Sequence, residues 1–310
     1  MTVYFSRYTD SPALDYIIGT ILILIFLVSS SLNPISFFYH ITRDSKLSSR
    51  LYALLALYDF LVNIYHPLLQ AHHFLMEAED VSGEAGIYFQ VVQGTANFAA
   101  WSSQIIINCI LFVRFYSIKY PFSKINEKLV WICLSSATLI LVVMESLHFS
   151  SGTVWRSEIQ LVNFPQGQVN RSIDLAYSLI VITPVGILYI LGGMTSIYTV
   201  ILLKRDTGPP ETRAQRQRSA RIIFILSAIN WTVPITLIYV NLKWPREDSS
   251  LTELVVAYGI LNGMNKGVSV LDPIAILVLS KDMRAYVMDL KAKCCQKICP
   301  SSQANSSSPW

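Results

Sequence analysis

Seven long apolar runs constrain this chain more than any other feature of its sequence. They cover roughly residues 16–39, 51–75, 86–113, 129–149, 174–203, 219–242 and 251–280. A helix needs about 20 mostly apolar residues to cross the hydrocarbon core of a bilayer. Only helices and closed barrels satisfy their backbone hydrogen bonds in lipid. With 53% hydrophobic and 14% charged residues, the chain is predicted to be an all-α membrane protein, a seven-transmembrane helix bundle over 16–280.

The basic residues lie mainly on one side of this predicted bundle. Of the 24 Lys and Arg residues, eighteen fall in or beside the loops on one side, five fall on the other, and Lys266 lies within the seventh run. Cytoplasmic loops carry the excess of Lys and Arg. Residues 1–15 are therefore expected outside the cell and the C-terminus in the cytoplasm of a plasma-membrane protein. The net charge of +4 reflects this asymmetry and does not indicate nucleic-acid binding.

The segment after the seventh run is amphipathic. Met283, Tyr286, Val287 and Leu290 recur at helical spacing, with lysines between them. This pattern is typical of a helix that lies along a membrane surface. We expect a short eighth helix over 281–299 and, because the sequence then becomes polar and serine-rich, a disordered cytoplasmic tail over 300–310.

Five ionisable residues lie within or at the end of the apolar runs: Asp59, Arg114, Glu145, Lys266 and Asp272. A charge in the bilayer costs free energy, so each residue is a candidate for function. Arg114 and Glu145 lie near the ends of their runs, where a side chain can also reach an interface. Asp59 and Asp272 lie well inside and need polar partners or water. They predict a hydrated polar cavity that can take up an ion or exchange hydrogen bonds.

Prolines interrupt three of the predicted helices. Pro184, Pro234 and Pro273 lie inside the fifth, sixth and seventh runs. Each is a candidate hinge, although such a proline can also produce a static bend. A proline removes the hydrogen bond of a carbonyl in the previous turn, and a nearby polar group or water can bind that carbonyl instead.

Short motifs occur along the chain in a recognisable order. They are SSSLNP in helix 1, LALYD in helix 2, VRFYSIKYPF at the end of helix 3, NWTVP in helix 6 and LDPIAI in helix 7, with a proline in helix 5. Together they resemble rhodopsin-like G-protein-coupled receptors over residues 16–293. The resemblance implies a receptor, without catalytic activity, that couples an unknown extracellular ligand to a heterotrimeric G protein. A peptide is one candidate ligand, and arrestin is a further expected partner.

The resemblance also assigns roles to individual residues. Asn33 corresponds to the helix 1 asparagine that bonds the helix 2 aspartate, here Asp59, which in the family often holds a sodium ion. Arg114 corresponds to the arginine that engages the G protein when helix 6 moves outward. The complete activation switch implied by the resemblance is Asn33, Asp59, Arg114, Pro184, Trp231, Pro234, Asp272 and Pro273.

Two kinds of modification are expected. Cys294, Cys295 and Cys299 resemble the palmitoylated cysteines that attach the eighth helix to the membrane, although unmodified thiols remain the alternative. Asn170 begins an Asn-Arg-Ser glycosylation sequence on the predicted outer side. Apart from the sodium ion, the sequence predicts no metal site.

The chain departs from the family at several switch positions. Val113 stands where an acid normally precedes the arginine, and Ile276 replaces the tyrosine of the helix 7 motif. Pro234 follows Trp231 by three residues, whereas the family spaces them by two. These differences imply either a loosely restrained Arg114 with some ligand-free activity or weak signalling.

The candidate ligand pocket leaves alternatives open. Ala96 occupies the position where amine receptors have their ligand-binding aspartate, which disfavours a monoamine. Lys266 lies six residues before Asp272, and opsins place the lysine of the retinal Schiff base at the same spacing. Val92 stands at the position that usually carries the counterion of the protonated Schiff base in opsins. Lys266 is therefore interpreted either as a retinal attachment site or as the partner of an acid or anionic ligand. The buried acids also leave a transporter as a third hypothesis.

Overall fold

The fold is that of a computed structural model, which describes residues 12–43, 46–76, 84–120, 123–150, 154–156, 164–166, 171–204, 210–243 and 267–298. The predicted N-terminal segment, the first part of the seventh run and the C-terminal tail lie wholly or mainly outside these residues. So do Asn170, Lys266 and Cys299.

Helices make up nearly all of the described residues. The first four are α1 (Pro12–Arg43), α2 (Leu47–Met76), α3 (Glu84–Lys119) and α4 (Glu127–Ser150). The fifth, α5, consists of Arg171–Tyr177, a π-helical turn over Ser178–Ile182, and Thr183–Lys204. The last three are α6 (Pro210–Lys243), α7 (Gly267–Leu279) and α8 (Lys281–Ile298).

Five of the described helical segments are long and apolar enough to cross a membrane. They are Ile23–Thr42, Leu47–Ile64, Gly94–Lys119, Glu127–Leu147 and Leu175–Leu203. Two shorter apolar segments, Ala220–Thr232 and Gly267–Leu279, lie in α6 and α7. The prediction of a helical membrane protein is therefore confirmed at this level.

The perimeter of the bundle is apolar, as a lipid environment requires. Leu24 of α1, Leu139 of α4, and Met194 and Ile197 of α5 are all more than half exposed. Contiguous apolar surface of this kind is unusual on a protein surrounded by water. Because α3 contacts α2, α4, α5 and α6, it occupies the centre of the arrangement.

A short strand pair accompanies the helices and leaves the all-α fold class unchanged. β1 (Val154–Arg156) pairs antiparallel with β2 (Phe164–Gln166), with Trp155 opposite Pro165. Valine and aromatic residues favour strands. Three residues are too few to show an alternating pattern, which is why the sequence analysis did not predict this pair.

The boundary between α7 and α8 is set by a serine. Ser280 lies outside both helices, and its Oγ accepts a hydrogen bond from the Met283 N–H at 3.2 Å. A serine in this position satisfies one of the free N–H groups at a helix start. The side chain of Met283 is fully buried in the main hydrophobic cluster, and the ring of Tyr286 lies 5.3 Å from that of Tyr39 on α1.

The exposed surface of α8 contains charged residues beside apolar ones such as Met288. Lys293 and Asp289 form an exposed ion pair at 2.8 Å, one helical turn apart. The hydrogen bond and the negative charge of Asp289 raise the pKa of Lys293. Cys294 and Cys295 follow directly and are exposed free thiols.

The π-helical turn in α5 accommodates Pro184. A proline lacks an N–H, and its ring collides with the carbonyl four residues earlier in a regular α-helix. Here the Thr183 N–H bonds the Ser178 carbonyl five residues earlier, and Thr183 Oγ1 donates to the same carbonyl at 2.9 Å. The extra residue in this turn moves the backbone away from the proline ring.

Candidate functional site

Asp59 lies at the centre of a buried polar network. Its side chain is only 1% exposed, and Ser103 Oγ of α3 donates a hydrogen bond to Asp59 Oδ1 at 2.7 Å. Asp59 Oδ2 has no hydrogen-bond partner. The carboxyl group therefore retains one free acceptor in the interior of the bundle, where an unpaired polar atom is costly.

Asn33 and Asn63 connect α1 and α2 to α7 through one residue, Ser269. Asn33 Nδ2 donates to Ser29 Oγ at 2.8 Å and to the Ser269 carbonyl at 3.3 Å. Asn63 Nδ2 donates to the Asp59 carbonyl at 3.0 Å and to Ser269 Oγ at 2.5 Å. The family resemblance predicts that Asn33 bonds the Asp59 side chain directly. The structure corrects this, because the amide of Asn33 is directed to α7 instead.

The acceptor that Asn33 uses is created by Pro273. A proline cannot donate to the carbonyl four residues earlier, and for Pro273 that carbonyl belongs to Ser269. The prediction that a nearby polar group would bind a carbonyl freed by this proline is confirmed by the Asn33 hydrogen bond. The break in the α7 hydrogen-bond ladder is thereby used to connect α1 with α7.

Asn230 connects α6 with α7. Its Nδ2 lies 3.1 Å from Asp272 Oδ1 and 3.2 Å from Asp272 Oδ2, and it also donates to the Leu226 carbonyl at 2.9 Å. The carbonyl of Asn230 is itself the one that Pro234 leaves without an intrahelical donor, since the two residues are four apart. The link between α6 and α7 therefore lies at a point where α6 lacks one intrahelical hydrogen bond.

The two acids of this network influence one another. Asp59 and Asp272 are near enough to interact electrostatically, and both are almost completely buried. In the described part of the chain no Lys or Arg forms an ion pair with either of them. A small cation can compensate the negative charges of two buried carboxyl groups that repel one another.

A sodium ion fits the oxygen-rich surroundings of Asp59. Asp59 Oδ2 is a buried carboxylate oxygen without a hydrogen-bond partner, and two amide oxygens of the network, Asn33 Oδ1 and Asn230 Oδ1, are also buried and unpartnered. Carboxylate and carbonyl oxygens are the ligands that hard cations prefer. Among the described residues no group of three or more His, Cys, Asp or Glu side chains offers a site for a transition metal.

Arg114 lies against an aromatic side chain of α2. Its guanidinium carbon lies 5.8 Å from the centre of the Tyr52 ring, and its charge acts on His40. The His40 ring stacks on Tyr52 at 5.0 Å with an interplanar angle of 20°. Val113, which replaces the expected acid, is buried. Arg114 is therefore positioned by a cation–π contact rather than by an adjacent carboxylate.

No protein-family model and no curated protein matches the chain. Asn33, Asp59, Asp272 and Pro273 lie in one buried region, and Asn230 was not predicted to belong to it. Arg114 lies apart from this region, against Tyr52.

Two adjacent glycines of α5 were missed by the sequence analysis. A methyl group at Gly193 would lie 2.6 Å from Trp231 Cζ2 on α6, and one at Gly192 would overlap Asn108 of α3. Each glycine therefore allows a neighbouring side chain to lie directly against the α5 backbone. Pairs of small residues are typical of close helix contacts in membranes, so this signal was present in the sequence.

Glu145 forms a second buried acid site between α3, α4 and α5. It is 4% exposed, which contradicts the interpretation that it reaches an interface. The Tyr177 hydroxyl donates to Glu145 Oε1, and the Trp101 indole N–H donates to the Tyr177 oxygen at 2.8 Å. Glu145 Oε2 has no partner. Phe98 and Val181 belong to the surrounding hydrophobic cluster.

Proposed function

We propose that the protein is a rhodopsin-like G-protein-coupled receptor of the plasma membrane, with seven transmembrane helices, an external N-terminus and α8 along the cytoplasmic surface. The observation that carries the proposal is the buried polar network, which connects five helices around Asp59 and Asp272. Hydrogen bonds among amides, hydroxyls and carboxyls can exchange partners at small net cost. Such a network can therefore connect ligand binding at one end with helix movement at the other.

The proposed movement begins where α5 and α6 are in contact. A ligand that shifts Trp231 against Gly193 changes the position of α6 relative to α5. The α6 helix can bend at Pro234 because the Asn230 carbonyl has lost its intrahelical donor. Bending there breaks the Asn230–Asp272 hydrogen bonds, and Asp272 then turns to Asp59 or Ser103 for donors or for a shared proton.

Arg114 is the proposed contact for the G protein. In the structure described here its guanidinium lies against Tyr52, so its release requires separation from an aromatic ring and not from an acid. A cation–π contact contributes about 0.5–2 kcal/mol, which is a weak restraint. The proposed receptor therefore has measurable activity without a ligand.

The test uses this basal activity, since the ligand is unknown. Cells expressing the full chain with each class of Gα subunit are assayed for G-protein dissociation. We expect activity with at least one class, and we expect Arg114→Ala to abolish it at unchanged surface expression. Arg50→Ala is the matched control, because Arg50 is an exposed arginine on α2. Equal signals from the wild type and Arg114→Ala with every Gα class would contradict the proposal.

Sodium at Asp59 is the associated proposal for an ion. A sodium ion that binds only the folded state raises its stability, by an amount that grows with the logarithm of the sodium concentration above Kd. Purified protein should therefore have a higher melting temperature in sodium chloride than in choline chloride, and Asp59→Asn should remove the difference. An identical difference in the variant would show that the ion binds elsewhere.

The position of Lys266 favours opsin-like retinal binding as a second candidate function. A desolvated lysine amine is a nucleophile that forms Schiff bases, and Lys266 lies six residues before Asp272. The test is to add 11-cis- and all-trans-retinal, purify the protein, and record absorbance before and after borohydride reduction. A covalently fixed band that disappears in Lys266→Ala would establish this function. Failure to retain any chromophore would exclude it.

A further inference from the structure

A groove between α5 and α6 lies outside the polar network and is not used by the proposed mechanism. It has a volume of about 500 Å³. It lies between the C-terminal end of α5, at Val200 and Leu203, and the part of α6 from Gln217 to Ile225. Its walls are apolar: Val200 and Leu203 on α5 face Phe224 and Ile225 on α6. The groove is therefore large enough for part of an acyl chain and has a suitable lining.

The groove opens to the perimeter of the bundle. Phe224 is 51% exposed and Ile225 is 36% exposed, and on the neighbouring α5 surface Ile201 is 41% exposed. In a membrane protein this perimeter is in contact with lipid. The molecule available to fill the groove is therefore a lipid, which approaches from the side without any opening of the helix bundle.

One end of the groove is polar and basic. Gln217 and Arg221 line it, four residues apart on α6, and the α6 backbone places position 213, also an arginine, one turn earlier. Arg221 is exposed and, within the described residues, pairs with no carboxylate. Directly after Arg221 the α6 sequence becomes apolar, from Ile222 onward. The groove thus changes from basic to apolar along its length.

We propose that this groove is a binding site for one anionic phospholipid. The phosphate accepts hydrogen bonds from Arg221 and Gln217, and one acyl chain lies between Val200 and Phe224. A guanidinium forms charge-assisted hydrogen bonds with phosphate that a neutral lipid surface cannot replace. Basic residues at the membrane boundary attract anionic lipids in the same way. The lipid joins α5 to α6 and stabilises their packed arrangement.

Soluble anions and peptides fit the groove less well than a lipid does. Inorganic phosphate would contact the basic end and leave the apolar walls empty. An acidic peptide would bring unsatisfied backbone groups against Phe224 and Ile225, where hydrocarbon surrounds the helices. The inference does not depend on receptor activity, since it concerns only this surface of α5 and α6.

Native mass spectrometry of the full-length protein, purified in detergent, tests the proposal. The protein is mixed with equimolar dioleoyl phosphatidylserine and dioleoyl phosphatidylcholine, and retained lipids are counted. We expect one tightly retained phosphatidylserine. Arg221→Gln should weaken its retention about fivefold, the effect of losing one basic residue at a membrane surface. Arg50→Gln, at an exposed arginine outside the groove, should leave it unchanged.

A variant that fills the groove distinguishes lipid binding inside the groove from electrostatic attraction of lipid to the basic surface. Ile225→Trp inserts a large side chain into the apolar part and leaves every arginine in place, so it should also expel the lipid. Val200→Trp fills the same apolar part from the α5 side. An unchanged melting temperature in at least one of the two variants establishes that this variant is correctly folded. Full retention of phosphatidylserine in a folded filling variant would overturn the proposal. Equal retention of the two lipids by the wild type would overturn it as well.

Discussion

Asp59 and Asp272 lie among hydroxyl and amide side chains of five helices, whereas Glu145 lies among aromatic side chains of α3 and α5. All three acids are at least 95% buried. The Asp59–Asp272 network contains several unpartnered oxygens and several amide donors. Around Glu145 the described hydrogen bonds form one chain, from Trp101 to Tyr177 to the carboxyl group.

The two sites differ in the number of alternative hydrogen-bond arrangements that their side chains can form. Asn33, Asn63 and Asn230 can each offer a donor or an acceptor to a new partner, so the network has alternative pairings of similar free energy. Among the described residues Glu145 accepts one hydrogen bond, from Tyr177, and the apolar side chains of the surrounding cluster offer no donor to replace it. We infer that the Asp59–Asp272 network rearranges during function and that the Glu145 site fixes α3, α4 and α5 relative to one another.

The largest effect is expected at Asp272. Asp272→Ala removes one of the two acceptors of the Asn230 amide, and an unsatisfied buried N–H costs about 1–3 kcal/mol. The Asn230–Asp272 hydrogen bonds join α6 to α7. Their loss should therefore change basal G-protein activation per surface receptor by about tenfold or more. Asp289→Ala, at an exposed carboxylate on α8, should leave it unchanged.

The conservative variant shows which property of Asp272 matters. Asp272→Asn keeps an oxygen acceptor for Asn230 and removes the possibility of negative charge. If it behaves as the wild type, the hydrogen bond alone carries the effect. If Asp272→Ala changes only the amount of protein at the surface and not the activity per molecule, the proposed distinction between the two sites is wrong.

A smaller effect, on stability alone, is expected at Glu145. Glu145→Leu removes the carboxylate to which the buried Tyr177 hydroxyl donates, so unfolding should become easier by about 2 kcal/mol. Glu145→Gln retains an acceptor oxygen and should be close to the wild type. Denaturant titration in mixed micelles measures the change. A loss of basal signalling per surface receptor in folded Glu145→Leu would instead place Glu145 within the switch.

Much of this arrangement follows from local sequence, and the rest depends on helix rotation. The apolar runs predicted the helices because their length is set by the bilayer. The predicted runs begin and end within a few residues of α1–α5, except that α3 continues six residues further, to Lys119. The carbonyl that Pro273 frees was predictable because a proline affects a fixed neighbour four residues away.

The partners of the polar residues were not predictable in the same way. That Asn33 bonds Ser269 rather than Asp59 depends on the rotation of α1 against α7, to which hydropathy is insensitive. Ser103, Asn63 and Ser269 are ordinary polar residues in the sequence, and only their mutual distances show that they belong together. For Glu145, sequence position near the end of a run favoured an interface as much as burial, and the Tyr177 contact decided between them.

The smallest predicted effect is an absence of energetic coupling between the Asp59–Asp272 network and the Glu145 site. It tests the difference between the two sites most directly. Mutations at independent sites add to within about 0.5 kcal/mol, whereas residues in one network show coupling of about 0.5–3 kcal/mol. In a double-mutant cycle for unfolding, Asn230→Ala and Asp272→Ala should be coupled, because they remove the two partners of one interaction. Asp272→Ala and Glu145→Leu should be additive.

α3 is the element that would transmit any coupling between the two sites, because it carries Ser103 for one and Trp101 for the other, two residues apart. On a helix, positions two apart point to different sides. The network and the Glu145 site therefore contact different faces of α3. A local change at either site can occur without displacing the other site. Coupling above about 0.5 kcal/mol between Asp272 and Glu145 would therefore require a rotation or shift of α3 as a rigid body. The network and the Glu145 site would then be two parts of one switch, and α3 its moving element.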